Sequence, residues 1–96
     1  KTFGELHAHA CDLYAQIGLD PMFLHVGHSI GLHVDEHWLM ADDPTALRTG
    51  MVLNIELYSL SDEAVMIGDE ETFVVTDGEP EKLNTLPVDI IERPFK

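Results

Sequence analysis

Two stretches, Met51-Val-Leu-Asn-Ile-Glu-Leu-Tyr58 and Glu70-Glu-Thr-Phe-Val-Val-Thr76, decide the fold. Alternation in the first puts Leu53, Ile55 and Leu57 on one face of a strand and Asn54, Glu56 and Tyr58 on the other. In the second, Phe73 and Val75 face one way while Glu70, Thr72 and Val74 face the other. Ser61-Asp-Glu63 between them is a turn signal. An unbulged hairpin centred on Glu63 pairs residues whose numbers sum to 126, which makes Glu56 and Glu70 direct cross-strand neighbours. Opposed side chains in such a pair have Cβ atoms about 4.5–5.5 Å apart, and like charges there are destabilising unless something positive lies between them. A metal ion is one such group. A solvated hairpin with several acids on its wet face is the alternative.

The composition narrows the partners. Eighteen acids against five bases, a net charge of −13, argue against a nucleic-acid backbone and are compatible with bound cations. No apolar run reaches the length of a membrane span. At 96 residues and 45% hydrophobic the chain is long enough for one small core. The single Cys11 forms no intrachain disulfide and fits a reducing compartment, so a cytoplasmic location is expected. The opening Lys1-Thr-Phe-Gly-Glu-Leu is neither a signal peptide nor a start with Met, which suggests a sequence opening inside a larger protein.

From the start of the chain, Thr2-Phe-Gly-Glu5 is a capping-box pattern that predicts a helix beginning near Phe3. Phe3, Leu6, Ala10, Leu13, Tyr14 and Ile17 follow at helical spacing, and Gly18 with Pro21 supplies the stop. His7 and His9 lie two apart, share no helix face and read as surface histidines. The run from Phe23 to His37 holds four of the six histidines. Gly27 and Gly31 bracket His28 there, and glycines in a strand-like run mark a bulge or a close backbone approach. Such a setting is expected to leave His28 accessible; taken alone it reads as a ligand or as a packed or loop histidine. Trp38 to Thr49 reads as a loop or short helical turn, Lys82-Leu-Asn84 as a short strand, and Leu86 to Lys96 as an edge segment. No dinucleotide-binding, phosphate-loop, CxxC, HExxH or nucleophile-elbow motif is present.

Gly27-His-Ser-Ile-Gly-Leu32, Gly50-Met-Val-Leu-Asn-Ile-Glu56 and Glu70-Glu-Thr-Phe-Val-Val-Thr-Asp-Gly78 together resemble the carboxy-terminal half of the pita-bread metallohydrolases. That family includes methionine aminopeptidases, Xaa-Pro aminopeptidases, prolidases and the non-peptidase creatinase. Its motifs read GHGIGLxxHE, PGMVxxIEPG and EDTxxVTxDG, and the resemblance runs from about Gly27 to Pro87. It implies an α+β fold, a partial pita-bread domain with a helix packed on a curved antiparallel sheet. Residues 1–96 would then be the carboxy-terminal portion of one catalytic domain, without an internal boundary.

The same resemblance assigns His28, Glu56 and Glu70 as ligands of a site for two divalent metal ions, Mn, Co, Zn or Fe. A metal-bridging hydroxide would be the nucleophile and Glu56 the proton shuttle. Three departures stand out. The catalytic histidine of the family, seven residues after the metal histidine, falls on Asp35, leaving its role to be lost or taken by His33 or His37. Leu57-Tyr58 replaces the Pro-Gly after the ligand glutamate. The two aspartate ligands of the family lie well upstream of the histidine, and Asp12 and Asp20 do not match their motifs. The expected function is part of an Xaa-Pro aminopeptidase or dipeptidase. The alternatives are a creatinase-like C–N hydrolase, a lyase, or a catalytically silent binding module. Expected partners are a peptide or small amide substrate, the upstream half of the same domain and, in a homodimer, a second copy.

Overall fold

The computed structural model describes residues 1–87 and Asp89. Helix α1 (Phe3–Gln16) is followed by strands β1 (Gly27–Ile30), β2 (Val52–Leu60), β3 (Met66–Val74) and β4 (Glu81–Lys82). The strands form one antiparallel sheet in the order β1-β2-β3-β4.

The capping box forms: Thr2 Oγ1 accepts the Glu5 amide at 3.2 Å, and Glu5 Oε2 accepts the Thr2 amide at 2.7 Å. The helix stops where Gly18 and Leu19 return their amides to the carbonyls of Ala15 and Tyr14. Its inward stripe is narrower than the spacing predicts. Phe3, Ala10 and Tyr14 are buried, but Leu13 and Ile17 are 45% and 69% exposed. The core they would have joined is a small cluster of Phe3, Ala10, Val26, Leu39 and Leu53, flanked by Leu6, Leu47, Met51, Ile55 and Val75. Leu53 and Ile55 contribute from the apolar face of β2, so the helix lies on the side opposite Asn54, Glu56 and Tyr58. Burying Phe3 to 1% contributes about 1.5–3 kcal/mol.

β2 and β3 pair over nine residues each, from Val52↔Val74 to Leu60↔Met66, in the register centred on Glu63. Ser61 closes the turn through its amide to the Val65 carbonyl at 2.9 Å, and the Ala64 amide returns to the Ser61 carbonyl at 2.9 Å. β4 comes earlier than the sequence pattern predicts and ends at Lys82. The Asn84 side chain explains the stop: its Oδ1 accepts the Thr72 amide at 2.6 Å, replacing a strand-to-strand bond with a side-chain one. The expected edge segment falls largely outside the described residues, at Val88 and from Ile90 onward.

The loop before β2 is anchored to the start of α1. Phe3 and Gly4 donate their amides to the carbonyls of Thr45 and Asp43, both at 2.9 Å. The Asp43 carboxylate faces the same junction, accepting the Thr45 amide at 2.8 Å and contacting His37 Nε2 at 2.7 Å. Hydrogen bonds from Thr45, first, and then from His37 hold Asp43 down at about 2. A carboxyl depressed on folding contributes stability above its unfolded value of about 3.9, and the contribution is lost as pH falls through the folded value. Asp43→Asn should therefore lower the unfolding temperature near neutral pH. The gap to the native chain should close between about pH 4 and pH 2 in a series of thermal melts. A gap that stays constant across that window would contradict the assignment.

Candidate metal centre

The polar face of the hairpin is built as a ladder. β2 presents Asn54, Glu56 and Tyr58, and β3 presents Thr72, Glu70 and Gly68 directly opposite them. β1 then adds His28 beside Asn54. Alternation thus gathers an imidazole and two carboxylates on one face without any long loop.

His28 reaches that position through Gly27, whose φ of 149° lies outside the range side chains favour, and where a Cβ would collide with the Asn54 carbonyl. The backbones of β1 and β2 approach closely there, as the paired glycines predict. His28 itself differs from expectation: it is 2% exposed, because the strand pairs on both sides. β2 covers one side, and the returning segment Glu36–Leu39 covers the other through bonds to Ser29, Gly27 and Val26. The His28 ring meets carboxylates rather than open solvent. Its Nε2 lies 3.0 Å from Glu56 Oε1 and 3.1 Å from Asp35 Oδ1, and its Nδ1 lies 3.2 Å from the Ser29 carbonyl oxygen.

Asn54 sits at the centre of the group. Its Nδ2 is 3.3 Å from Glu70 Oε2, 3.4 Å from Glu56 Oε1 and 3.4 Å from His28 Nε2, while the Thr72 hydroxyl donates to its Oδ1 at 3.1 Å. The Thr72 bond fixes which end of the amide faces the acids. Glu70 is further held by the Tyr58 hydroxyl, which donates to its Oε1 at 2.5 Å. The hydrogen bond to Glu70, followed by burial and the nearby acids, pushes the Tyr58 phenol up to about 12. Beyond Glu56, His25 Nδ1 stands 3.8 Å from Oε2 and is buried with no hydrogen-bond partner among the described residues. An aromatic rim encloses this end: Phe23 stacks on His25 at 5.3 Å, Trp38 approaches His25 at 4.3 Å, and the edge of Trp38 meets His28.

The structure therefore brings His28, Glu56 and Glu70 together and adds Asp35. It does not bring in the other two candidates. In the segment pairing with β1, Trp38 lies opposite His28, so alternation turns His37 to the far face, where it contacts Asp43 and Phe3. His33 lies on the exposed turn, its amide donating to the Glu36 carboxylate at 3.2 Å. Asn54, Thr72 and Tyr58 are the members that motif reasoning does not single out. Their signal in the sequence is the same two-residue period that selects Glu56 and Glu70.

Among the described residues, no three His, Cys, Asp or Glu side chains form a ready metal cage. Instead His28 meets Glu56 and Asp35 directly, and Glu70 is bonded through one oxygen to the Asn54 amide and through the other to the Tyr58 hydroxyl. The donor set nevertheless fits a divalent ion. In the tautomer that donates the Nδ1 proton to Ser29 O, Nε2 would present its lone pair to an ion, the orientation that metal-binding histidines take from their second hydrogen bond. One imidazole with two carboxylates is a donor set for Mn, Fe, Co or Zn. Among the described residues, no lysine or arginine makes a hydrogen bond or ion pair with Asp35, Glu56 or Glu70, and Lys82 pairs with Glu71 on the opposite face at 3.1 Å.

The sequence matches the model of metallopeptidase family M24 over residues 1–77. Its structure is similar to that of dipeptidase PepE from Mycobacterium ulcerans, with a TM-score of 0.83 and 28% identity over 94% of this chain and 25% of that one. It is likewise similar to the prolidase from Pyrococcus horikoshii OT3, with a TM-score of 0.81 and 30% identity over 94% of this chain and 26% of that one. The prolidase from Pyrococcus furiosus follows with a TM-score of 0.79 and 26% identity, over 90% of this chain and 26% of that one. No curated protein sequence matches. The chain spans about a quarter of the length of these structures. The His28, Glu56 and Glu70 segments all lie within the matched span, and the chain belongs to metallopeptidase family M24.

Proposed function

We propose that this chain supplies the carboxy-terminal share of a dinuclear metallohydrolase site, in a domain that acts as a dipeptidase of the Xaa-Pro type. The observation that carries the reading is the placement of His28, Glu56 and Glu70 around the Asn54 amide on one sheet face. The family match and the likeness to prolidases and a dipeptidase support the reaction class. Divalent ions held by His28, Glu56 and Glu70 would supply Lewis-acid polarisation of the scissile carbonyl and activation of water. The residues of this chain hold and orient. His28 offers Nε2 while Ser29 fixes its ring, Glu70 is steadied by Tyr58 and Asn54, and Glu56 is placed to accept and return a proton. The rim of Phe23, His25 and Trp38 limits water and offers apolar surface to a substrate side chain.

The remaining ligands and the rest of the fold belong, in this reading, to an upstream part of the same domain. The apolar surface of the chain supports that division. A groove of about 540 Å³ between α1 and the hairpin is lined by Leu13, Ile17, Leu19, Leu57 and Ile67, an opening that a further element would fill. Asp35 favours a second reading. It stands where the family has a histidine, and its carboxylate lies against His28, so an anion occupies the space of a neutral donor. That substitution makes a creatinase-like C–N hydrolase or a lyase the second reading.

Two outcomes test these readings in the complete domain. Glu70→Gln should abolish the gain in unfolding temperature that Mn²⁺ produces, whereas Glu71→Gln, which removes the same charge from the opposite face, should leave it nearly intact. Equal losses would contradict the proposed division of faces. Asp35→His should raise kcat/KM on an Xaa-Pro dipeptide by about tenfold or more, since a well-placed hydrogen-bond donor contributes roughly 10²–10³. A fall in kcat/KM would instead favour the second reading.

A further inference from the structure

One pair of the ladder on the polar face, Tyr58 opposite Gly68, contributes no proposed metal ligand. A Cβ on Gly68 would run into the Tyr58 ring, so the ring lies flat over the bare backbone of β3. From there the phenol reaches diagonally to Glu70, two residues along the strand, and donates to Oε1 at 2.5 Å. The edge of Phe23, with ring centroids 5.8 Å apart, backs the same ring. The backbone of Tyr58 is also tied, its carbonyl accepting the Met22 amide at 2.8 Å and the Tyr14 hydroxyl at 3.0 Å. Side chain and main chain are therefore both fixed, and the hydroxyl can reach Glu70 with little loss of freedom.

Glu70 needs such an anchor. It lies in the exposed half of β3 and faces Glu56 directly, so both repulsion and side-chain entropy favour its swinging outward. We infer that Tyr58, admitted by Gly68, is a positioning residue that holds the Glu70 carboxylate facing Glu56 and so sets the affinity of the site for a divalent cation. The inference rests on the metal role proposed for Glu70. The phenol bonds Oε1 and the Asn54 amide bonds Oε2, leaving the remaining lone pairs of a carboxylate of fixed orientation for an ion.

The test is a Mn²⁺ titration of the complete domain by calorimetry, with thermal melts of the metal-free protein alongside. Tyr58→Phe keeps the ring and its packing and removes only the hydroxyl. It should weaken Mn²⁺ binding by about 10–100-fold, the usual loss for a residue that orients a ligand from behind. The metal-free melt should change little. Gly68→Ala displaces the ring and should weaken Mn²⁺ binding in the same direction. The near-ultraviolet tyrosine difference spectrum that accompanies Mn²⁺ addition to the native protein should disappear in Tyr58→Phe. Mn²⁺ affinity unchanged by Tyr58→Phe overturns this inference and leaves the metal reading standing. Native protein that binds no Mn²⁺ overturns both. A lower metal-free melting temperature with unchanged Mn²⁺ affinity shows a purely structural tyrosine and also overturns the inference.

Discussion

The pairing of Glu56 with Glu70 across the β2–β3 ladder is the constraint around which the polar half of this molecule is built. Two carboxylates held directly opposite one another on the same face repel, and the strand register leaves neither free to change face without moving every other side chain of its strand. Two neighbouring groups answer that repulsion. The Asn54 amide donates toward both acids, and the Tyr58 hydroxyl holds Glu70. Neither carries the permanent positive charge of a lysine or arginine. The arrangement remains strongly negative and is suited to a cation.

The apolar half of the hairpin serves the polar half. Leu53 is buried and Ile55 packs on the cluster that contains Phe3 and Leu39, which fixes the face of β2 and therefore the direction in which Glu56 points. A one-residue slip would place the glutamates in that cluster, where unpaired charge is costly. Core packing and site geometry are thus the same choice of register. The N-terminus of α1, tied by Asp43 and Thr45, brings Phe3 to the cluster and links the first turn of the helix to the loop that leads into β2.

Period-two alternation carried most of what could be read before the structure. Glu56, Glu70, the hairpin centre and the capping box at Thr2 all follow from local rules in which one residue dictates its near neighbours. The misreadings share a different cause. Leu13 and Ile17 match a helical stripe, but how much of a stripe is covered depends on what packs over it, and only Phe3, Ala10 and Tyr14 are buried here. His28 between two glycines reads as accessible because a glycine-lined strand does not reveal that Glu36–Leu39 returns to cover it. The same return, invisible to motif spacing, carries Asp35 to His28 and turns His37 away. The early end of β4 depends on one side-chain bond from Asn84 that no periodicity encodes.

We propose that one cation-attracting locus lies on the polar face between His28, Glu56 and Glu70. Its most direct test is paramagnetic broadening of the backbone amide resonances of the chain on stepwise addition of Mn²⁺. Because broadening falls off steeply with distance, the first signals lost should be those of residues 28, 54 to 56 and 70 to 72, while the turn acids Asp62 and Glu63 and the Asp42–Asp43 loop stay sharp. Broadening that begins at the turn or the loop, or that spreads evenly over the acidic surface, would contradict the account.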